Sequence, residues 1–115
     1  MIQGLHHIAL ISSSEESVRF YKILGFHEYF RKPREKDTVV LLKGHGIQLE
    51  IFVDPNHPRF DQEPIGFRHI SLHVNSIEET IDELGIESGP IMSDWIGLRF
   101  CFIKDPDGLT IEIHE

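Results

Sequence analysis

Two histidines and two glutamates recur at one separation: His7 and His69 are 62 residues apart, and so are Glu50 and Glu112. The same offset matches Gly4 with Gly66, Ile8 with Ile70, Leu10 with Leu72, Gly46 with Gly108, Leu49 with Ile111 and Ile51 with Ile113. The four residues therefore belong to an internal repeat, a feature to settle before any fold is named. Two neutral imidazoles and two carboxylates suit one divalent first-row metal and leave positions for water or substrate oxygens. Such a site polarises a carbonyl or enol oxygen, and a carboxylate of the set, Glu112 or Glu50, moves a proton at the adjacent carbon. The donors serve Zn, Ni, Mn and Fe almost equally.

The repeat also predicts the elements that carry these residues. Leu5 to Ile11 reads as a strand, and Ser13 and Glu16 have capping-box spacing for a helix with Val18, Tyr21 and Leu24 on its apolar stripe, closed by Gly25. Strands follow at 27–31, 38–42 and 46–53. The connection 54–65 holds three prolines, at 55, 58 and 64. Gly66 to Val74 then repeats the first strand, and Ser76 and Glu79 the capping box. Ile77, Ile81 and Leu84 make the second helical stripe before Gly85, and strands are expected around 90–92, 98–103 and 109–114. Asp105-Pro106-Asp107-Gly108 supplies the turn into the last strand. The expected organisation is one α+β domain, 1–115, of two βαβββ modules at about 4–53 and 66–115.

Strand alternation sorts the faces. Ile8, Leu10, Leu49, Ile51 and Val53 form one aliphatic face, which packs under a helix, while His7, Gln48 and Glu50 point the other way. In the second module Ile70, Leu72, Val74, Leu109, Ile111 and Ile113 oppose His69, Ser71, His73, Thr110 and Glu112. Each module thus presents one His and one Glu on its helix-free face.

Composition narrows the function classes. A length of 115 residues, with 40% hydrophobic and 26% charged residues, is that of one globular domain able to bury a core. The net charge of −8 and the short, interrupted basic cluster Arg31-Lys32-Pro33-Arg34-Glu35-Lys36 argue against nucleic acid as a partner. No stretch approaches the ~20 apolar residues of a membrane span, and the N-terminus lacks a signal-peptide pattern, so a cytoplasmic protein is expected. The single Cys101, in an apolar run, reads as a buried, reduced, inert thiol.

His7-Ile8-Ala9-Leu10, Phe20-Tyr21 with Leu24-Gly25-Phe26, Gln48-Leu49-Glu50-Ile51, Phe67-Arg68-His69-Ile70-Ser71 and Asp105-Pro106-Asp107-Gly108 with Ile111-Glu112 together resemble the vicinal oxygen chelate superfamily. That superfamily holds glyoxalase I, fosfomycin-resistance proteins, bleomycin-binding proteins, methylmalonyl-CoA epimerases and extradiol dioxygenases. The resemblance spans nearly the whole chain. It implies paired βαβββ modules whose curved mixed sheet surrounds a metal cavity, commonly in a homodimer, with His7, Glu50, His69 and Glu112 as metal ligands. Carboxylates at both Glu50 and Glu112 look like the glyoxalase I pattern, which implies a lyase or isomerase acting on a small oxygen-chelating substrate. The other branches are Fe(II) dioxygenation, thiol addition to an epoxide such as fosfomycin, and metal-free ligand sequestration. Glutathione-dependent members generally have Arg and Asn where this chain has Ile11 and Asp54, and neither substitute suits the carboxylates of that tripeptide. The segment Glu50 to Ser71, with its proline-rich loop running into Gly66-Phe67-Arg68-His69-Ile70-Ser71, is similar to the short glyoxalase-like metalloproteins of bacteria.

Three further residues are candidates for substrate contact. Arg99 lies beside the expected site strand and is suited to an anionic group, His73 shares parity with the ligand face, and Trp95 falls in a loop before a site strand. His114 also shares that parity, whereas Arg68 and His6 have the opposite one.

Overall fold

The computed structural model describes residues 3, 5–58, 69–94 and 97–115. The chain forms two compact units, Met1–Arg59 and Phe60–Glu115, each considered on its own.

The first unit runs β1 (Ile8–Ser12), α1 (Glu15–Ile23), β2 (His27–Pro33), β3 (Thr38–Gly44) and β4 (Ile47–Val53). Its sheet has the order β1-β4-β3-β2, with β1 parallel to β4 and the other pairs antiparallel. The helix is capped by Ser14, not Ser13. The Ser14 side chain accepts from the Glu16 N–H at 3.2 Å, while Ser12 Oγ bonds both the N–H and the carbonyl of Ser14 and draws the chain one residue further before the helix starts. Val18 and Tyr21 of α1 and the alternating residues Val40, Leu42, Leu49 and Ile51 of β3 and β4 are all at most 1% exposed. Their odd-numbered neighbours on β4 thus define the core face, and Gln48, Glu50 and Phe52 define the opposite one. Strand β2 extends beyond its predicted end because Arg34 N–H donates to the Asp37 carbonyl at 2.6 Å and closes the hairpin late, and β3 extends to Gly44 through its pairing with β4, Lys43 with Gln48 and Gly44 with Ile47. At the β3–β4 turn His45 (φ 52) and Gly46 (φ 77) are both left-handed, the pairing a tight hairpin of right-handed strands requires.

Glu28, half-buried on β2, is tied to Arg31 and Lys22, so this carboxylate joins strand to helix. The hydrogen bond from Arg31 chiefly, then Lys22, hold its pKa at about 2, down from 4.5. A depressed carboxylate pKa contributes stability that is complete above 4.5 and is lost as pH falls from there through 2. Discounted for solvent screening, the contribution is about 1 kcal/mol. Glu28→Gln is expected to cost that much at pH 7 and only a small part of it at pH 2, where the carboxylate is about half protonated, measured as urea midpoints across the range. An equal cost at both pH values would show that the ion pairs are not responsible.

The second unit runs β5 (Ile70–His73), α2 (Ile77–Leu84), β6 (Met92–Ser93), β7 (Arg99–Lys104) and β8 (Thr110–His114), in the sheet order β5-β8-β7-β6. Its register repeats the first unit's: Ile8, Ala9 and Leu10 face Leu49, Glu50 and Ile51, as Ile70, Ser71 and Leu72 face Ile111, Glu112 and Ile113. Ser76 caps α2 as expected, accepting from the Glu79 N–H at 3.2 Å, and Gly85 ends it in a left-handed turn at φ 64. Cys101, Ile103, Ile111 and Ile113 are at most 1% exposed, with Ile77 of α2 fully buried. Burial pushes the Cys101 thiol pKa up, consistent with an inert thiol. Strand β6 lies at Met92–Ser93 rather than 90–92, since Pro90 has no N–H to pair and the edge starts after it. Of the expected strand 66–74, residues 66–68 lie outside the described residues, as do residues 59–65 of the expected connection.

The turn Asp105 to Leu109 shows how β8 is launched. Asp105 Oδ1 accepts from the N–H groups of Asp107 and Leu109 at 2.9 and 2.8 Å, and Gly108 takes φ 88. Asp54 makes the same use of Asp-Pro: its Oδ1 accepts from the Asn56 N–H at 3.1 Å.

Candidate functional site

In the first unit the chain enters β1 at His7 and reaches Glu50 halfway along β4, directly beside Ala9. His7 Nε2 lies 2.9 Å from Glu50 Oε2, with side-chain exposures of 39% and 26%. His6 Nδ1 is 2.9 Å from His7 Nδ1, its ring edge-on. If His7 donates Nε2–H to Glu50, its Nδ1 accepts from His6, so His6 fixes the tautomer. The parity argument left His6 without this part, because a one-residue neighbour is not on the same strand face and its ring reached across a non-strand segment.

In the second unit His69 Nε2 and Glu112 Oε2 are 3.7 Å apart, with side chains 25% and 17% exposed. Phe102 stands opposite Glu112 on β7 and meets the His69 ring at 5.7 Å, giving this pair an apolar wall. Each unit therefore gathers one nitrogen and one oxygen donor on its helix-free face. Among the described residues no group of three or more His, Cys, Asp or Glu side chains stands in metal-holding positions.

Arg99 does not stand free. Its guanidinium meets Glu78 of α2 and, at 3.4 Å, Glu115, whose carboxylate also accepts from the Ile77 N–H at 2.9 Å. This network ties β7 and the C-terminus to the start of α2, and the Arg99 contact lowers the Glu78 pKa. His73 is exposed at the end of β5, beside His114 in register. His114 bonds the Glu115 carbonyl at 2.7 Å and Asp94 at 3.3 Å, bonds that raise its pKa, the carbonyl most, and its ring stacks on Phe100. Trp95 and Arg68 lie outside the described residues.

A cavity of about 340 Å3 opens within the first unit, lined by Ala9, Leu10, Ile11, Arg34, Lys36, Asp37, Phe52, Asp54 and His57. None of the hairpin residues was singled out from sequence. The available signal was parity: Phe52 alternates with Glu50, and Ala9 and Ile11 with His7. Asp54, only 5% exposed, turns its carboxylate into its own Asx turn, and Ile11 is 54% exposed at the cavity.

Register, repeat and matched His/Glu pairs define an α+β protein of two βαβββ units with polar, donor-bearing faces. The chain belongs to the Glyoxalase/Bleomycin resistance protein/Dioxygenase superfamily, whose sequence model matches residues 4–113. It is 33% identical to the uncharacterized protein YwkD of Bacillus subtilis over 100% of this chain and 98% of that one. Among solved structures it is similar to a glyoxalase family protein from Enterococcus faecalis, with a TM-score of 0.87, 32% identity and coverage of 99% and 98%. The fold alone is shared with the fosfomycin resistance protein FosX from Listeria monocytogenes, crystallised with Mn(II), at a TM-score of 0.76, 20% identity and coverage of 99% and 90%. The fold and family expected from sequence are thereby borne out. No described helix is long and apolar enough to cross a membrane.

Proposed function

We propose that the protein is a divalent-metal-dependent lyase or isomerase of glyoxalase type, with His7, Glu50, His69 and Glu112 as the metal's protein ligands. The observation that carries this reading is the identical register of the two His/Glu-bearing strand pairs, Ala9 with Glu50 and Ser71 with Glu112. The donors fit: two imidazoles and two half-buried carboxylates, without soft sulfur, suit Zn, Ni, Mn or Fe. His7 and Glu50 belong to the first unit, His69 and Glu112 to the second. Bound there, the metal supplies Lewis-acid polarisation to a small carbonyl, hydroxy-keto or hemithioacetal substrate.

The chain's own residues then divide the work. Glu50, held at 2.9 Å by His7, positions the first pair. Glu112, less exposed and looser from its histidine at 3.7 Å, takes the proton from the substrate carbon beside the carbonyl and returns it. Glutathione is disfavoured by Ile11 and by the inward-turned Asp54.

Protein purified without an affinity tag is expected to carry metal stoichiometrically. His7→Ala and His69→Ala should each weaken metal binding by at least about a hundredfold, more than the loss of an outer-shell partner costs. Negligible metal in the parent protein and in both variants would sink the proposal. Oxygen uptake with catechols and a fosfomycin resistance assay separate it from the dioxygenase and epoxide-opening chemistries.

A further inference from the structure

The Nε2 atom of His7 faces Glu50, whereas its Nδ1 lies 2.9 Å from Nδ1 of His6. The two ring centroids are 5.2 Å apart, about the contact plus two ring radii, so each nitrogen points along the line joining the rings, as an N–H···N bond requires. Two nitrogens so placed share one hydrogen: one ring donates and the other accepts. Among the described residues His6 is the only partner of His7 Nδ1. The contact matters because neither ring is set by the sheet. Both residues precede β1, which starts at Ile8, and the His7 side chain is 39% exposed. The second module is built differently. At the repeat offset His6 corresponds to Arg68, whose guanidinium carries donors only and cannot accept from His69. His69 is met instead by the Phe102 ring and stands 3.7 Å from Glu112, against 2.9 Å between His7 and Glu50.

We infer that His6 is a positioning residue for the first couple: its Nδ1 aims the His7 ring and, with metal at His7 Nε2, becomes the acceptor of the His7 Nδ1–H. The inference rests on the proposed metal function and adds an order to the half-sites, the His7/Glu50 couple being aimed in advance and the His69/Glu112 couple not. In the metal-free arrangement Glu50 accepts the Nε2–H of His7, and His6 donates to His7 Nδ1. A ligating imidazole presents the lone pair of one nitrogen and donates the N–H of the other. The bond between the rings therefore reverses while both rings stay in place. His7 gives its Nε2 hydrogen to solvent, the hydrogen between the rings passes to His7 Nδ1, and the exposed His6 takes one from solvent at Nε2. The hydrogens on the two rings remain equal in number, so the exchange is one of tautomers and not of charge.

Zn(II) is the probe, titrated into the full chain at one pH in competition with a chromophoric chelator. His6→Phe, which keeps an aromatic edge and removes the acceptor, should weaken Zn(II) binding about 10–100-fold, the usual worth of an outer-shell partner. His6→Asn, whose Oδ1 takes the place of Nδ1, should recover most of that loss, and Arg68→Ala should leave the affinity at the parent's value. Urea midpoints of the metal-free His6 variants should match the parent's, since the side chain is exposed. Imidazole nitrogen–hydrogen correlations in NMR should place the His7 hydrogen on Nε2 without Zn(II) and on Nδ1 with it. Zn(II) binding as tight in His6→Phe as in the parent, no recovery in His6→Asn, an equal loss in Arg68→Ala, or a Zn(II)-loaded protein whose His6 keeps its hydrogen on Nδ1 would overturn the inference and leave the metal reading standing. A parent protein that binds Zn(II) no better than His7→Ala would overturn both.

Discussion

Glu112→Gln is expected to lower turnover by about two to four orders of magnitude on a carbonyl substrate found by screening, the usual worth of one general base. The substitution keeps shape and one oxygen donor but removes the group that takes the proton. Its neighbours do not replace it: Phe102 opposite is apolar, and His69 is 3.7 Å away and assigned to the metal. Most of the metal should therefore remain, so that the loss falls on kcat while metal content, measured on the same preparation, changes little. Exchange of the substrate's carbon-bound hydrogen in D2O, followed by NMR, should fall in parallel. Glu50→Gln should lose less turnover, because Glu50 is committed to His7 at 2.9 Å. If Glu50→Gln abolishes exchange and Glu112→Gln does not, the two carboxylates have exchanged roles.

Ile111→Ala is expected to cost about 2–5 kcal/mol of stability, the range for truncating a fully buried aliphatic side chain. Ile111 is fully buried, paired with Ile70 on β5 and Ile103 on β7, at the centre of the second unit's sheet. The cavity left there lies one residue from Glu112, so the same change should also loosen the carboxylate. Ile11→Ala, at 54% exposure, is the control and should fall within about 0.5 kcal/mol of the parent. Urea midpoints for the two variants check the alternation directly. Equal effects would mean that the buried and open faces of the strands have been misassigned.

Much of the fold was legible because its signals are local and doubled. Helix caps, turn residues and period-2 alternation act over a few residues, and the offset of 62 let each module check the other. The shared register of β1–β4 and β5–β8 follows from that repetition, since a one-residue slip would have buried Glu50 or Glu112 in place of an isoleucine. Errors of a residue or two arose where neighbouring groups compete for the same bond, as among Ser12, Ser13 and Ser14 at the start of α1.

Charged side chains were less legible, because their partners are distant in sequence. Arg99 read as a candidate anion ligand, yet Glu78 and Glu115, on other elements of its unit, hold it. Arg34 read only as part of a short, interrupted basic cluster, whereas in the structure Asp37 binds its guanidinium and Phe52 lies beneath it. By itself the sequence determined the repeat, the parity of β1, β4, β5 and β8 and the His/Glu couple of each module, since these depend on spacing along the chain. Only the tertiary structure decided the 2.9 and 3.7 Å separations within the two couples, the occupancy of Arg99 and the cavity beside Glu50. Those depend on long, flexible side chains meeting across elements, which no local rule of the backbone specifies.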